Sequence, residues 1–222
     1  MKFSTDEIAA ATGGTVHGPP AHIDGATQDS RTVEPGQLFV PLVAVRDGHD
    51  FIESALAAGA AAYLTQRSPV GGTAIVVADT AEAMRALARA ARRRIRGPVV
   101  AVTGSVGKTS TKDLLVAVLD QRFRAHASVR SFNNEIGVPL TLLNSPDRTE
   151  AAVIEMGARG IGHVAELCAI ADPTVGIVTT VAAAHTGEFG SLEAIASAKG
   201  ELVESLPVDG LAVLNGDVEL VA

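Results

Sequence analysis

The stretch that decides the fold is residues 99–110, which read Val-Val-Ala-Val-Thr-Gly-Ser-Val-Gly-Lys-Thr-Ser. The apolar start predicts a short buried strand over 99–103, followed by a helix from about 107 to 120. Glycines in the turn between them let backbone N–H groups point at an anion, and the helix N-terminus adds partial positive charge. Strand, glycine turn and Lys-Thr in this order therefore predict a polyphosphate site.

Side-chain chemistry gives the residues of this turn separate roles. Lys108 would reach the terminal phosphates, and the Thr109 hydroxyl would bind Mg²⁺. The alternative is an ordinary strand-to-helix turn, which would give Lys108 and Thr109 no purpose. The spacing is shorter than the usual P-loop pattern, because Val102 stands where the first glycine is expected. The candidate phosphate-binding residues are Gly104, Ser105, Val106, Gly107, Lys108, Thr109 and Ser110.

Composition limits the classes of protein to consider. The 222 residues are 47% hydrophobic, which is enough for one large or two modest domains. The formal net charge of −7 argues against a general nucleic-acid binder. No apolar run is long enough to cross a bilayer, and the N-terminus lacks a signal-peptide core. We expect a cytoplasmic protein in which Cys168, the single cysteine, is a small buried residue rather than a nucleophile.

The chain is expected to divide between residues 97 and 98, giving domains 1–97 and 98–222. In the second domain strands and helices alternate, which predicts a mostly parallel, doubly wound sheet covered by helices on both faces. Ligands of such sheets gather at the carboxyl ends of the strands. The predicted strands are 99–103, 123–127, 151–155, 174–180 and 211–214, and the predicted helices are 107–120, 135–143, 161–171 and 191–206.

The first domain is expected to be a smaller α/β unit. A strand is predicted over 37–43, at a sheet edge or bulged because it contains Pro41. Asp50 is expected to cap the helix that follows. The next helix is capped by Asp79 and carries many arginines, which invite an anion-binding interpretation, but a solvated basic face is the better one.

Two loops of the second domain carry candidate metal ligands. Glu155 ends the predicted strand 151–155, where a carboxylate beside a phosphate loop suits Mg²⁺; a role in capping the following helix is the alternative. His185 lies between a strand and a helix, where it could contact a metal or a phosphate or be merely solvated.

Three further polar residues have two interpretations each. Asn133 and Asn134 either cap a helix or bind phosphate oxygens or a hydrated ion. Lys199 lies within the predicted helix 191–206, where the pattern alone suggests a surface lysine paired with a nearby carboxylate.

Taken together, these residues resemble the Mur ligases, most closely those of the MurF type. The resemblance covers nearly the whole chain and implies a UDP-sugar-binding domain followed by an incomplete P-loop ATPase domain. The stretches that carry it are Thr103–Lys112, Asn133–Pro139, Glu155–Ala158, His185 with Ala198-Lys199, Asp29-Ser30-Arg31 with Pro35-Gly36, and Gly48–Phe51.

The resemblance implies a set of site residues. Lys108 and Thr109 would bind ATP phosphates and Mg²⁺, and Glu155 and His185 would hold the metals. Lys199 matches a lysine that is carbamylated in several family members, where the carbamate supports a second Mg²⁺. The remaining implied contacts are Asn133 and Asn134 near the γ-phosphate, Ser30 and Arg31 near the UDP moiety, and His49 near the substrate.

The implied activity is ATP-dependent amide formation in peptidoglycan synthesis. A monomeric ligase would join D-alanyl-D-alanine to UDP-N-acetylmuramoyl-tripeptide. Since the chain ends soon after the strand 211–214, we expect an N-terminal fragment with little or no ligase activity alone. The alternatives are a MurE-type or folylpolyglutamate-synthetase-like ligase, against which the stretch 133–137 argues, and a nucleotide-binding module without catalysis.

Overall fold

The computed structural model describes residues 1–129, 131–182 and 191–221, and these form two compact units. Unit 1 comprises Met1–Ala91 with Leu142–Asp147, and unit 2 comprises Arg92–Thr141 with Arg148–Ala222. The α/β class predicted from the sequence is confirmed in both units. The predicted boundary between residues 97 and 98 stays a prediction.

The elements of unit 1 are β1 (Lys2–Ser4), α1 (Thr5–Thr12), β2 (Thr15–His17), β3 (His22–Asp24), β4 (Ala26–Thr27), β5 (Leu38–Phe39), α2 (Ile52–Ala57), β6 (Ala62–Thr65), β7 (Ala74–Val76) and α3 (Thr80–Arg92), with 3₁₀ turns at Ser30–Thr32 and Gly48–Phe51. Five strands form a sheet in the order β2-β7-β6-β5-β4, and β1 and β3 form a second, two-stranded sheet. Pairing is parallel in the larger sheet except between β2 and β7.

Two local predictions for unit 1 are wrong. The strand predicted over 37–43 is only Leu38–Phe39, and it lies inside the sheet between β4 and β6 rather than at an edge. It ends before Pro41, whose carbonyl accepts a hydrogen bond from the Thr80 hydroxyl at 2.5 Å. The cap also differs, because Asp47 rather than Asp50 accepts from a backbone N–H at the start of the 3₁₀ turn. A 3₁₀ turn ahead of α2 moved the helix start past Asp50.

The elements of unit 2 are β8 (Val99–Thr103), α4 (Lys108–Leu119), β9 (Ala125–Ala127), α5 (Gly137–Leu143), β10 (Ala151–Glu155), α6 (His163–Ala171), β11 (Val175–Val178), α7 (Leu192–Glu204) and β12 (Leu211–Leu214). The last two residues of α5 belong to unit 1. The strands form an all-parallel sheet in the order β12-β11-β8-β10-β9.

The two central strands of this sheet position the candidate site. β8 and β10 are buried at every residue, as expected of continuous apolar strands covered on both faces. The chain leaves β8 for β9 and β10 on one side and then crosses to β11 and β12 on the other. A reversal of this kind opens a crevice at the carboxyl end of the central strand, which is where the loop 104–107 lies.

One arginine departs from the solvated face predicted for α3. Arg85 and Arg89 do pair with Glu82 near the surface. Arg92, the last residue of α3 and the first of unit 2, is buried instead. Its guanidinium donates to the carbonyl oxygens of Ala171 and Asp172 at the end of α6, within unit 2. Those carbonyls have no partner within a helix, so the arginine caps the C-terminus of α6.

Candidate functional site

The loop after β8 has a backbone that only glycine supports at its first position. Gly104 has φ of +145°, and a Cβ there would overlap the hydroxyl of Thr179. Gly107 also lies in the left-handed region, with φ of +86°, immediately before α4. The predicted glycine turn between strand and helix is therefore present, with its geometry imposed by close approach to the end of β11.

Hydrogen bonds hold this loop against the chain that follows β11. The N–H of Ser105 donates to the carbonyl of Thr180 at 2.8 Å, and the N–H of Val106 donates to the Thr180 hydroxyl at 3.2 Å. The Ser105 hydroxyl accepts from the N–H of Ala182 at 3.0 Å. Hydrogen bonds within the chain thus hold the loop in shape, which lowers the entropy cost of binding an anion.

Lys108 begins α4 and bends back over the loop. Its Nζ donates to the carbonyl of Gly104 at 2.6 Å. Burial lowers the pKa of this lysine, while the charge of Glu155 raises it. Among the described residues no side chain caps the α4 N-terminus at Gly107, so its dipole points at the same space as the ammonium. Together they make the loop attractive to an anion.

Glu155 ends β10 and is almost completely buried, at 1% exposure. One carboxylate oxygen accepts from the Thr109 hydroxyl at 2.9 Å, and the other accepts from the Asn133 amide at 2.9 Å. Its predicted alternative, capping the next helix, is wrong because both oxygens point to these partners. A carboxylate and a hydroxyl beside a phosphate loop fit the hard oxygen ligands that Mg²⁺ takes.

The two asparagines divide the roles that the sequence left open. The Asn134 side chain accepts from the N–H of Gly137 at 2.8 Å and thereby caps the start of α5. The Asn133 side chain instead donates to Glu155, and its backbone carbonyl accepts from the N–H of Gly157 at 2.7 Å. Asn133 therefore ties together the two loops that follow β9 and β10.

Lys199 is buried on α7, at 5% exposure, so the interpretation as a surface lysine is wrong. Burial lowers the pKa of its ammonium to about 8, and the positive charge of Lys108 contributes in the same direction. A lysine whose charge is disfavoured both by burial and by a neighbouring cation marks a position where an anion would be stabilised.

A cavity of about 450 Å³ connects these groups within unit 2. Its wall joins the loop after β8, the loop before α5, the loop after β10, the start of α6 and α7. The lining residues are Gly104, Ser105, Lys108, Asn133, Asn134, Glu135, Gly157, Ala158, Arg159, His163, Glu166, Leu167 and Lys199. Three of the predicted phosphate-loop residues, Gly104, Ser105 and Lys108, therefore line the same cavity as both asparagines and Lys199.

One residue that fixes the wall of this cavity was missed in the sequence analysis. Glu201 lies on α7 two residues after Lys199, and its carboxylate accepts from the N–H groups of Gly162 and Ala165 at the start of α6. The capping glutamate comes from a different helix, 36 residues away from Ala165. No local capping pattern could have revealed it.

The remaining predicted residues lie elsewhere. Ser30 and Arg31 form the 3₁₀ turn of unit 1, where Arg31 makes a bidentate ion pair with Asp29 at 2.6 and 2.8 Å. His49 is buried; its Nδ1 lies 2.6 Å from Asp47, and its Nε2 accepts from the N–H of Gln66. His185 lies outside the described residues.

Two further structural facts bear on the predicted class. Cys168 is buried, as predicted, and burial raises the pKa of its thiol to about 11, which keeps it protonated at neutral pH. In the part of the chain that the structure describes, the helices are all too short or too polar to cross a bilayer.

Comparison with known families gives two matches along this chain. Residues 102–222 match the Mur ligase middle domain, and residues 22–97 match the catalytic domain of the Mur ligase family.

Individual relatives agree with these matches. The UDP-N-acetylmuramoyl-tripeptide–D-alanyl-D-alanine ligase of Bacillus subtilis is 40% identical over 228 residues, covering 99% of this chain and 50% of that relative. The Escherichia coli ligase of the same name is 40% identical over 219 residues, covering 98% and 48%. This chain thus spans about half the length of the curated relatives it matches.

Solved structures show the same fold. MurF from Acinetobacter baumannii has a TM-score of 0.91 and 29% identity, with coverage of 100% of this chain and 50% of that one. MurF from Thermotoga maritima in complex with ADP has a TM-score of 0.76 and 35% identity, with coverage of 85% and 45%.

Proposed function

This chain belongs to the Mur ligase family, and on that premise we propose that it is part of a MurF-type ligase. The whole protein would join D-alanyl-D-alanine to UDP-N-acetylmuramoyl-tripeptide at the expense of ATP. The observation that carries the proposal is the cavity lined by Lys108 and Lys199. The Thr109–Glu155 pair lies beside it, since the charge of Glu155 acts on Lys108. The names and the ADP complex of its relatives support the same substrates.

The proposed nucleotide site uses the residues of the loop after β8. Gly104, Ser105, Val106, Gly107 and Ser110 would surround the phosphates, with Lys108 as their principal cation. Thr109 and Glu155 would hold Mg²⁺, whose charge, when bound, would offset the negative charge of the phosphates. His185 is proposed as a further metal ligand, and Asn133 and Asn134 are proposed to lie near the γ-phosphate.

The proposed reaction has two steps, phosphorylation of a carboxylate and formation of the amide. A carboxylate oxygen of the muramoyl tripeptide attacks the γ-phosphorus of ATP, and the bond to the β-phosphate oxygen breaks to release ADP. The amine of D-alanyl-D-alanine then attacks the acyl carbon, loses a proton and displaces phosphate, which leaves the amide. In the first step Lys108 would stabilise charge on the transferring phosphoryl group.

Lys199 would act in a modified form. A pKa of about 8 leaves a useful fraction of its amine neutral near physiological pH, and the neutral amine is the form that combines with CO₂. The product is a carbamate that replaces a buried cation with an anion. This carbamate would supply oxygen ligands for a second Mg²⁺.

Unit 1 is proposed to bind the UDP-sugar. Ser30 and Arg31 would contact the UDP moiety from the exposed 3₁₀ turn. His49 would act indirectly, because both its ring nitrogens are used inside the unit, by fixing the loop that carries Asp47. A cytoplasmic location and a monomeric state complete the proposal.

Calorimetric titration tests this assignment. We expect the chain to bind UDP-N-acetylmuramoyl-tripeptide with a Kd near the micromolar range, which is about −8 kcal/mol. It should also bind Mg-ATP, and Lys108→Ala should weaken Mg-ATP binding about a hundredfold by removing the main phosphate cation. Lys2→Ala, an exposed lysine in unit 1, is the matched control and should bind both ligands normally.

The outcomes separate the alternatives. Binding of Mg-ATP without the muramoyl substrate would replace the MurF-type assignment with a more general nucleotide-binding module. Binding of muramoyl dipeptide in preference to tripeptide would favour a MurE-type ligase. Unchanged Mg-ATP affinity in Lys108→Ala would refute the phosphate site.

A further inference from the structure

A buried lysine beneath the phosphate loop has no part in the function proposed above. Lys112 lies on α4 and is 3% exposed. It follows Thr109 by three residues, so the two side chains share the helix face that packs on β9 and β10. Lysine is also scarce, since the chain has four lysines among its 18 basic residues, and three of the four are Lys108, Lys112 and Lys199.

The contacts of Lys112 lead to Glu155. Its Nζ donates to the carbonyl of Ser128 at 2.8 Å and lies 3.1 Å from the Asp113 carboxylate. Ser128 follows β9 and is itself buried. Its hydroxyl accepts from the N–H of Glu155 at 3.2 Å, and its N–H donates to the carbonyl of Val153 at 3.2 Å. One residue therefore connects the buried ammonium to the backbone of Glu155.

Residues of α4 therefore hold both the carboxylate and the backbone of Glu155. Thr109 contacts its carboxylate directly, and Lys112 holds its backbone through Ser128. Resting on the proposed function, we propose that Lys112 is a positioning residue, which fixes Glu155 at the orientation that a phosphate-bound Mg²⁺ requires. Lys112 touches neither nucleotide nor metal in this assignment.

An ammonium suits this position better than an apolar side chain of the same length. Burying a charge is unfavourable unless strong hydrogen bonds compensate, so a site whose only need was packing would favour methionine. The charged donor binds a carbonyl more strongly than a neutral donor does and fixes its direction. Groups one shell removed from a metal ligand commonly change metal affinity by about 10- to 100-fold when replaced.

The test separates metal binding from nucleotide binding in the same chain. Calorimetry with ATP in EDTA measures the phosphate loop alone, and a Mg²⁺ titration of the ATP-bound chain measures the metal. For Lys112→Met we expect ATP affinity in EDTA within about twofold of wild type and a Mg²⁺ midpoint raised about tenfold. Lys2→Met makes the same replacement at an exposed position and should change neither quantity.

A second variant covers the case in which Lys112→Met does not fold. Ser128→Ala removes the hydroxyl that accepts from Glu155 while leaving the buried charge in place, and it should raise the Mg²⁺ midpoint in the same way. A Mg²⁺ midpoint unchanged in Ser128→Ala, or an equal loss of ATP affinity with and without Mg²⁺ in Lys112→Met, would overturn the positioning role. If the wild-type chain binds ATP with no response to Mg²⁺, the metal site proposed above fails first, and the positioning role fails with it.

Discussion

The charged clusters of the two units differ in how their charges are balanced. In unit 1, Asp29 pairs with Arg31, and Arg67 pairs with both Asp47 and Asp50. In unit 2, Lys108 and Lys199 line one cavity, and the charge of Lys108 adds to burial in lowering the pKa of Lys199. In both units these charged residues lie in or near the loops of an α/β sheet, so the fold class does not explain the difference in charge balance.

This difference in charge balance indicates which of the two units would bind an anion. A cluster whose opposite charges already meet is stabilised by its own contacts and gains little from a further ion. A cavity in which a buried lysine lies near a second cation is stabilised when an anion enters. Substitutions should therefore have opposite effects on stability in the two kinds of cluster.

The largest effect is expected for Lys199→Met in CO₂-free buffer, where the wild-type Lys199 carries no carbamate. The folded pKa of about 8 lies below the ordinary value of 10.5, so the unfolded chain binds this proton more tightly. The charged lysine therefore destabilises the fold fully below pH 8, by roughly 3 kcal/mol, and this cost disappears as the pH rises from about 8 to 10.5. Lys199→Met should raise the free energy of unfolding at pH 7, and the difference from wild type should shrink toward pH 10.5.

Denaturant unfolding at several pH values measures this prediction. Lys2→Met should stay within about 0.5 kcal/mol of wild type throughout, because its side chain is exposed. A Lys199→Met variant that is less stable than wild type at pH 7 would show that the charge of Lys199 does not destabilise the fold.

A smaller and opposite effect is expected for Glu201→Gln. This carboxylate belongs to unit 2 but is satisfied internally, since it accepts from two backbone N–H groups of α6. An amide NH₂ cannot accept, so one part-buried N–H would lose its partner at a cost of about 1 kcal/mol. The exposed Glu204, on the same helix, offers the control Glu204→Gln, which should be neutral. Equal unfolding midpoints in urea for the two variants would contradict the capping role.

The smallest effect is expected in unit 1 from Asp29→Asn. The hydrogen bonds from Arg31 lower the pKa of Asp29 to about 2. The pair therefore stabilises the fold above about pH 4, and its contribution is lost as the pH falls through 2. Solvent screens the pair, so we expect a loss of only about 0.5–1 kcal/mol at pH 7. Unfolding measured at pH 7 and pH 2 checks it, because a difference that persists at pH 2 would point to the cap rather than to the charge.

Much of unit 2 was predictable because its signals are local. The strands 151–155 and 211–214 occur with the predicted bounds, and α4 begins one residue later than predicted. Apolar runs and a glycine turn specify such elements within a few residues of each other. The same reasoning placed Glu155 at a strand end, beside the phosphate loop.

The rest depended on contacts between distant residues. Lys199 has the sequence surroundings of a surface lysine, and only the packing of α7 shows it to be buried. Pro41 predicted an edge strand, but the strand ends before the proline and is flanked on both sides. The carboxylate of Glu201 and the ammonium of Lys112 act across 36 and 16 residues of sequence, which no local pattern records.

The hydrogen bonds between Ser105 and the chain after β11 allow ligand binding to be followed through the backbone amide protons. The N–H of Ala182 is bound to the Ser105 hydroxyl, and the N–H of Ser105 is bound to Thr180. Amide protons held in this way exchange with solvent only when the loop opens. Hydrogen–deuterium exchange at Ser105 and Ala182 should therefore slow together when a nucleotide occupies the loop, so that an unlabelled chain reports its own occupancy.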